Sequence, residues 1–281
     1  MAPVAATAVI GLTLILLPFQ VLVLKCAPRH GGVLPHFYHR VASLILGVRR
    51  IELGALAQQR PLLLLANHSS WLDIIVLSAV LPVSFVAKSE VGTWPGIGFL
   101  ARLQRTIFVD RTRRSATKGT AQDIAARLNA GDAVVLFAEG TSSDHNRILP
   151  FRSALIGAAR EAITEGGGTE VFVQPVSIAY PRRHGLPMLR RERPEVAWYG
   201  GMTLPNHLWN MMKYGGPEAV VSFGRPIAVT AQTDRKEIAR RAEAEVRAMT
   251  TRALRGHQPA PETPAPEAAA DLAILLDAQT G

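Results

Sequence analysis

Apolar and polar positions divide the chain into three regimes. From Met1 to Leu24 no residue is charged, and Val4 to Leu24 is an apolar run of 21 residues, close to the roughly 20 that a helix needs to cross a bilayer. Pro18 and Gln20 weaken it only slightly, because proline is tolerated in membrane helices. In the middle of the chain, short apolar runs alternate with longer amphipathic stretches, the pattern of an α/β domain. Strands are predicted at Leu62 to Ala66, Val83 to Ala87, Thr106 to Val109, Ala133 to Ala138, Val171 to Ile178 and, late in the chain, Val220 to Phe223. Helices are predicted at Trp71 to Leu81, Thr117 to Ala130, Ser153 to Ala162 and Glu237 to Leu254. The second is plainly amphipathic, with Ile124, Ala125 and Leu128 on one side. In the third regime, Gln258 to Ala270 is rich in Pro, Ala and Glu with no apolar period, which predicts disorder. These regimes give a membrane helix over 1–26, a main domain over 27–256 and a tail over 257–281.

Charge sharpens the picture at both ends. The apolar N-terminus lacks the basic n-region and small-residue cleavage site of a signal peptide. Lys25, Arg29, Arg40, Arg49 and Arg50 follow it, which places the main domain on the cytoplasmic side of a single-pass anchor. The net charge is +9, and removing the four acidic residues of 257–281 leaves +13 on the rest. Such a body seeks anionic partners: acidic lipid, a phosphorylated substrate, an acidic carrier protein or nucleic acid. No recognisable nucleic-acid module accompanies the charge, so nucleic acid is set aside. The lone Cys26 excludes an internal disulfide framework. The scattered histidines, without an H-E-x-x-H spacing, predict no metal site. Residues 186–216 mix Trp198, Tyr199, Trp209 and Tyr214 with Arg190, Arg191 and Arg193. That composition suits a bilayer interface, and equally an irregular substructure that packs its own aromatics inside.

Candidate chemistry concentrates where predicted strands end, the place at which α/β sheets build their sites. Asn67-His68-Ser69-Ser70-Trp71-Leu72-Asp73 follows the first strand. Five residues on a continuous helix advance about 500°, which leaves His68 and Asp73 on different sides of it. The two meet only if His68 lies in the strand-to-helix corner and Asp73 reaches back from inside the helix, with Ser69 or Ser70 as the N-cap. The plain alternative is a capping aspartate beside a loop histidine. Phe108-Val109-Asp110-Arg111, with Arg113 and Arg114 after it, presents guanidinium forks suited to phosphate oxygens. Glu139-Gly140-Thr141-Ser142-Ser143 supplies a carboxylate, hydroxyls and a glycine that lets backbone approach a ligand. In Val173-Gln174-Pro175-Val176 a proline interrupts an apolar strand and marks an edge or a bend.

In this order and spacing the four segments resemble the glycerolipid acyltransferase family, which includes the 1-acyl-sn-glycerol-3-phosphate acyltransferases. The resemblance runs from about Ile51 to Ile227 and includes Lys88-Ser89-Glu90, Trp94-Pro95 and Gly98. It implies an acyltransferase-like α/β fold, a mixed sheet flanked by helices. It also implies transfer of a fatty acyl group from acyl-CoA or acyl carrier protein, with no cofactor, to a lysolipid hydroxyl. His68 would then be the general base and Asp73 its orienting carboxylate. Lys88, Arg111, Glu139, Gly140, Thr141 and Arg152 would bind the acceptor. The family's third block often continues Gly-Thr-Arg-Ser, and here Ser142 takes the place of the arginine. The expected acceptor is 1-acyl-sn-glycerol-3-phosphate, with lyso-ornithine lipid as the alternative. Two other classes compete. A serine lipid hydrolase would need a Gly-x-Ser-x-Gly elbow, which the sequence lacks. A non-catalytic anionic-lipid-binding membrane protein would not depend on His68.

Overall fold

Among the described residues nine strands make one mixed sheet, and its central strands are the apolar runs of the sequence. The structure is a computed structural model that describes residues 2–110, 114–153, 156–157, 163 and 170–256. Its strands are β1 (Arg49–Leu53), β2 (Leu62–Ala66), β3 (Ser84–Lys88), β4 (Ile107–Val109), β5 (Ala133–Phe137), β6 (Val171–Arg183), β7 (Leu186–Pro187), β8 (Pro217–Phe223) and β9 (Ile227–Val229). The order is β1-β8-β6-β2-β5-β3-β4, with β7 and β9 also paired to β6. Strands β2, β5, β3 and β4 run parallel, whereas β8 and β9 lie antiparallel to β6. The principal helices are α1 (Ala2–Cys26), α2 (Val33–Ile45), α3 (Leu72–Val80), α4 (Ile97–Leu103), α5 (Arg114–Asn129), α6 (Leu204–Tyr214) and α7 (Arg235–Leu254).

Side-chain alternation along the central strands builds two cores. Leu63, Leu65, Val134 and Leu136 pack with Ile124, Leu128, Ile238 and Val246 of α5 and α7 on one face. Leu62, Leu64, Val135 and Phe137 pack with Leu72, Val76 and Leu77 of α3 on the other. Every residue of β2 and of β5 is buried, which is why both read as unbroken apolar runs.

Several expectations need correction. Val171–Ile178 continues as β6 to Arg183, and β6 is an interior strand, so Pro175 marks no edge. It sits instead where the antiparallel partner changes from β9, which pairs as far as Val173, to β8, which begins at Val176. No ladder donor is needed there. Gln174 fills the gap, donating to the carbonyls of Ala55 and Gly224 and accepting from the amide of Ala57. The cap position of α3 is Trp71 rather than a serine, although the Ser70 hydroxyl accepts from the amide of Leu72 at 3.4 Å, and Asp73 accepts from the amides of Ser69 and Ser70. In residues 186–216 the aromatics are not packed inside: Trp198 and Tyr199 are half-buried and Trp209 and Tyr214 exposed, while Met188, Val196 and Met211 are buried. Of the predicted helix Ser153–Ala162, only Ser153, Ile156 and Gly157 are described, and they are helical; the tail 257–281 lies outside the described residues.

Among the described residues, α1 is the one helix long and apolar enough to cross a membrane. It lies along the body rather than apart from it. Gln20 donates to the carbonyls of Gly31 and Leu103 at 2.8 and 2.7 Å, and Thr13 Oγ1 lies 3.0 Å from the Tyr38 hydroxyl. Its other face exposes Val4, Leu14, Ile15, Phe19 and Leu22, and Val33, Phe37 and Leu44 of α2 are exposed as well.

Candidate active site

The carboxyl end of β2 carries the chain into a corner that is clamped from three sides. Asn67 continues the ladder with its side chain, exchanging hydrogen bonds of 2.9 and 2.8 Å with the carbonyl and amide of Ile178 on β6. The carbonyl of His68 accepts from Ser143 N at 3.0 Å, and that of Ser69 accepts from Trp198 N at 2.7 Å. The corner therefore holds its shape before any substrate arrives.

Within it, His68 Nδ1 lies 2.8 Å from Asp73 Oδ2. A carboxylate oxygen only accepts, so Nδ1 carries the proton and Nε2 keeps its lone pair. The ring stacks on Phe137, with centroids 4.0 Å apart. Asp73 is fully buried, and Oδ2 also receives the amides of Ser69 at 2.7 Å and Ser70 at 2.9 Å. Its Oδ1 accepts the Tyr180 hydroxyl at 2.6 Å. Burial alone would raise the Asp73 pKa, but His68, Tyr180 and the Ser69 amide together hold it below the usual 3.8. Tyr180 is placed by the irregularity in β6 pairing between Ala179 and Arg182. Its amide donates to Nε2 of the buried His145, a residue with φ of 63°.

The site residues expected from sequence separate into two groups. His68, Lys88, Gly140 and Thr141 line a single cavity of about 1080 Å³, which α1, α2, α3 and α4 enclose with apolar side chains. Lys88 and Glu90 are the basic and acidic residues on its wall among those described. Glu139 and Arg152 are not on that wall. Arg152 is exposed, and its backbone amide donates to the carbonyl of Ala138. Arg111 lies outside the described residues. Asn67, His145 and Tyr180 are residues that sequence reasoning left without a role. Only Asn67 carried a signal, as the residue before His68 at a strand end.

Glu139 is 2% exposed, and its Oε1 accepts from the amide of His68 at 3.2 Å, while Oε2 meets no hydrogen-bond partner of normal geometry among the described residues. It braces the corner instead of facing a ligand. Burial raises its pKa from 4.5 to about 8, against smaller opposing effects of the His68 and Leu149 amides. The folded protein thus keeps a proton that the unfolded chain releases, and stability falls as pH rises from about 4.5 to about 8. Glu139→Gln mimics the protonated acid. Its melting temperature should match the wild type near pH 5 and exceed it by several degrees at pH 9. Thermal unfolding at both pH values measures the difference, and equal melting temperatures at pH 9 would contradict the buried, protonated acid.

Residues 48–179 match the family model described as Acyltransferase. Over 251 residues the chain is 52% identical to the lyso-ornithine lipid O-acyltransferase of Brucella abortus (strain 2308), covering 89% of this chain and 94% of that one. The chain belongs to the acyltransferase family. A second relative of the acyltransferase, the lyso-ornithine lipid O-acyltransferase of Rhizobium meliloti (strain 1021), is 44% identical over 269 residues, 95% of this chain and 92% of that one. The acyltransferase also shares the fold of the crystal structure of the 1-acyl-sn-glycerophosphate acyltransferase PlsC from Thermotoga maritima. That match has a TM-score of 0.60 at 17% identity and covers 90% of this chain and 98% of the other. The family span of the acyltransferase contains His68, Asp73, Lys88 and Glu139 and stops at Ala179, one residue before Tyr180.

Proposed function

We propose that the acyltransferase esterifies the free hydroxyl of lyso-ornithine lipid with a fatty acyl group taken from a thioester, acyl-CoA or acyl carrier protein. The names of the 52% and 44% identical relatives, matched over nearly their whole length, carry the choice of acceptor. The charges on the cavity wall fit it. An ornithine head group amide-linked at its α-nitrogen presents one carboxylate and one ammonium, matching the ammonium of Lys88 and the carboxylate of Glu90. A phosphate monoester would meet Glu90 unfavourably. This reverses the order of acceptors expected from sequence, which placed 1-acyl-sn-glycerol-3-phosphate first.

In the chemical step His68 Nε2 takes the proton of the acceptor hydroxyl while its oxygen attacks the thioester carbonyl. The imidazolium so formed lies against the ionised Asp73. The tetrahedral intermediate then collapses, the C–S bond breaks, and the proton passes from His68 to the departing sulfur to give a thiol. No enzyme nucleophile is required. The backbone amides of Ser69 and Ser70 donate to Asp73, and that of Gly140 donates to the carbonyl of Phe137. Among the described residues the Ser69 hydroxyl and the Trp198 indole N–H are buried without a partner and are candidate donors for the oxyanion. Helix α1 holds the enzyme at the membrane in which its lipid acceptor resides, with the catalytic domain on the cytoplasmic side.

Membranes containing the full chain, given a labelled acyl donor, test the reading. Lyso-ornithine lipid should be acylated with kcat/KM about tenfold or more above that of 1-acyl-sn-glycerol-3-phosphate. The opposite order would restore the glycerophosphate acceptor. Supplying acyl-CoA and acyl carrier protein in parallel identifies the donor.

A further inference from the structure

The cavity above His68 is apolar over most of its wall, yet three segments bring polar side chains together at one place in it. His39 comes from α2, Gln104 caps the end of α4, and both lie on the cavity wall. Both hang from the hydroxyl of Ser78 on α3: Gln104 Nε2 donates to Ser78 Oγ at 3.0 Å, and His39 Nδ1 lies 3.0 Å from the same oxygen. His39 Nδ1 is also 2.9 Å from the carbonyl of Pro35, which only accepts, so the imidazole proton is on Nδ1. Burial lowers the His39 pKa to about 4, with the neighbouring His36 acting in the same direction, and the ring is neutral near pH 7. Its Nε2 is therefore an acceptor. Gln104, 8% exposed, gives one of its two amide hydrogens to Ser78 and keeps its carbonyl oxygen. Among the described residues neither His39 Nε2 nor Gln104 Oε1 has a hydrogen-bond partner, so two acceptors stand within one serine of each other in an apolar chamber.

We propose that His39 and Gln104 form a hydroxyl-binding subsite that admits fatty acyl donors carrying a hydroxyl group part-way along the chain. The proposal rests on the reading that this cavity holds the acyl chain of the donor. The second amide hydrogen of Gln104 is a donor beside the two acceptors, so the place suits a group that both donates and accepts, an O–H, whereas a plain methylene leaves all of them unsatisfied. The position along the chain follows from α3. Ser78 lies five residues beyond Asp73, about 7.5 Å further along the helix axis, so the subsite is remote from the thioester carbonyl. A hydroxyl next to the carbonyl does not reach it, and one carried deeper does.

The test uses the full chain in membranes with lyso-ornithine lipid as acceptor. Donors are an unsubstituted acyl thioester and a set of monohydroxylated isomers with the hydroxyl near the carbonyl, in mid-chain and near the methyl end. At least one isomer hydroxylated away from the carbonyl should be transferred with kcat/KM equal to or above that of the unsubstituted chain. His39→Leu and Gln104→Met should each lower the ratio of that isomer to the unsubstituted chain by about tenfold or more. The subsite is overturned if the wild type discriminates against every hydroxylated isomer, or if the variants leave the ratio unchanged. Failure of the underlying reading looks different. Narrowing the cavity with Ile75→Trp would then leave the chain-length profile for unsubstituted donors unaltered.

Discussion

His68→Ala should reduce acyl transfer about 10³-fold or more, with the protein still folded and still in the membrane. The loss follows from chemistry, since among the described residues His68 is the basic nitrogen held against Asp73 on the cavity wall. Retention of the fold follows from the hydrogen bonds of Asp73. Without the imidazole, its carboxylate still receives the amides of Ser69 and Ser70 and the hydroxyl of Tyr180. The buried charge is thus left paired, and the melting temperature should move little. Transfer of a labelled acyl group, normalised to membrane-bound protein, gives the first readout, and thermal unfolding the second. Transfer at wild-type rates would sink the mechanism and favour the lipid-binding alternative, in which His68 has no chemical task.

Asp73→Asn should cost a comparable amount, about 10³-fold, for a different reason. The carboxylate has one oxygen facing three donors and the other facing the Tyr180 hydroxyl. An asparagine can keep its carbonyl toward the three donors and turn its NH₂ toward Tyr180, whose hydroxyl then accepts. Geometry survives, but the charge that stabilises the imidazolium is gone. Tyr180→Phe keeps the charge and removes one donor, so its loss should be far smaller, about tenfold. Measuring kcat for both variants checks that order, and an Asp73→Asn enzyme as active as Tyr180→Phe would mean that the charge is not needed. The same network sets the acid limit of stability. Because the folded Asp73 pKa is below 3.8, the stabilisation is present above that pH and is lost as pH falls below it.

What the sequence disclosed was governed by how local the physics is. β2 and β5 read within a residue of their true limits because they are buried on both faces, and burial on both faces leaves an unbroken apolar run. β1 did not read as a strand. Arg49, Arg50 and Glu52 line its exposed and half-exposed positions at the sheet edge, so nothing in its pattern distinguishes it from a polar connection. The His68–Asp73 contact was legible because both partners lie in one turn, and the constraint that Asp73 must reach back is local geometry. Tyr180 completes the same carboxylate from 107 residues away, and no spacing rule spans that distance. Glu139 shows the converse. A carboxylate at a strand end suggests a ligand contact, but this one is taken up by the amide of His68, which only the parallel pairing of β2 with β5 brings within reach.

Helix α1 has two duties that cannot be separated. Residues from Ala6 to Gln20 form part of the wall of the cavity, while Val4, Ile15, Phe19 and Leu22 of the same helix are bare apolar surface. Trimming the N-terminus to obtain a water-soluble enzyme would therefore open the cavity next to His68. Solubility and substrate fit are traded on the same two dozen residues. Any change in the lipid surroundings that shifts this helix also reshapes the space next to His68.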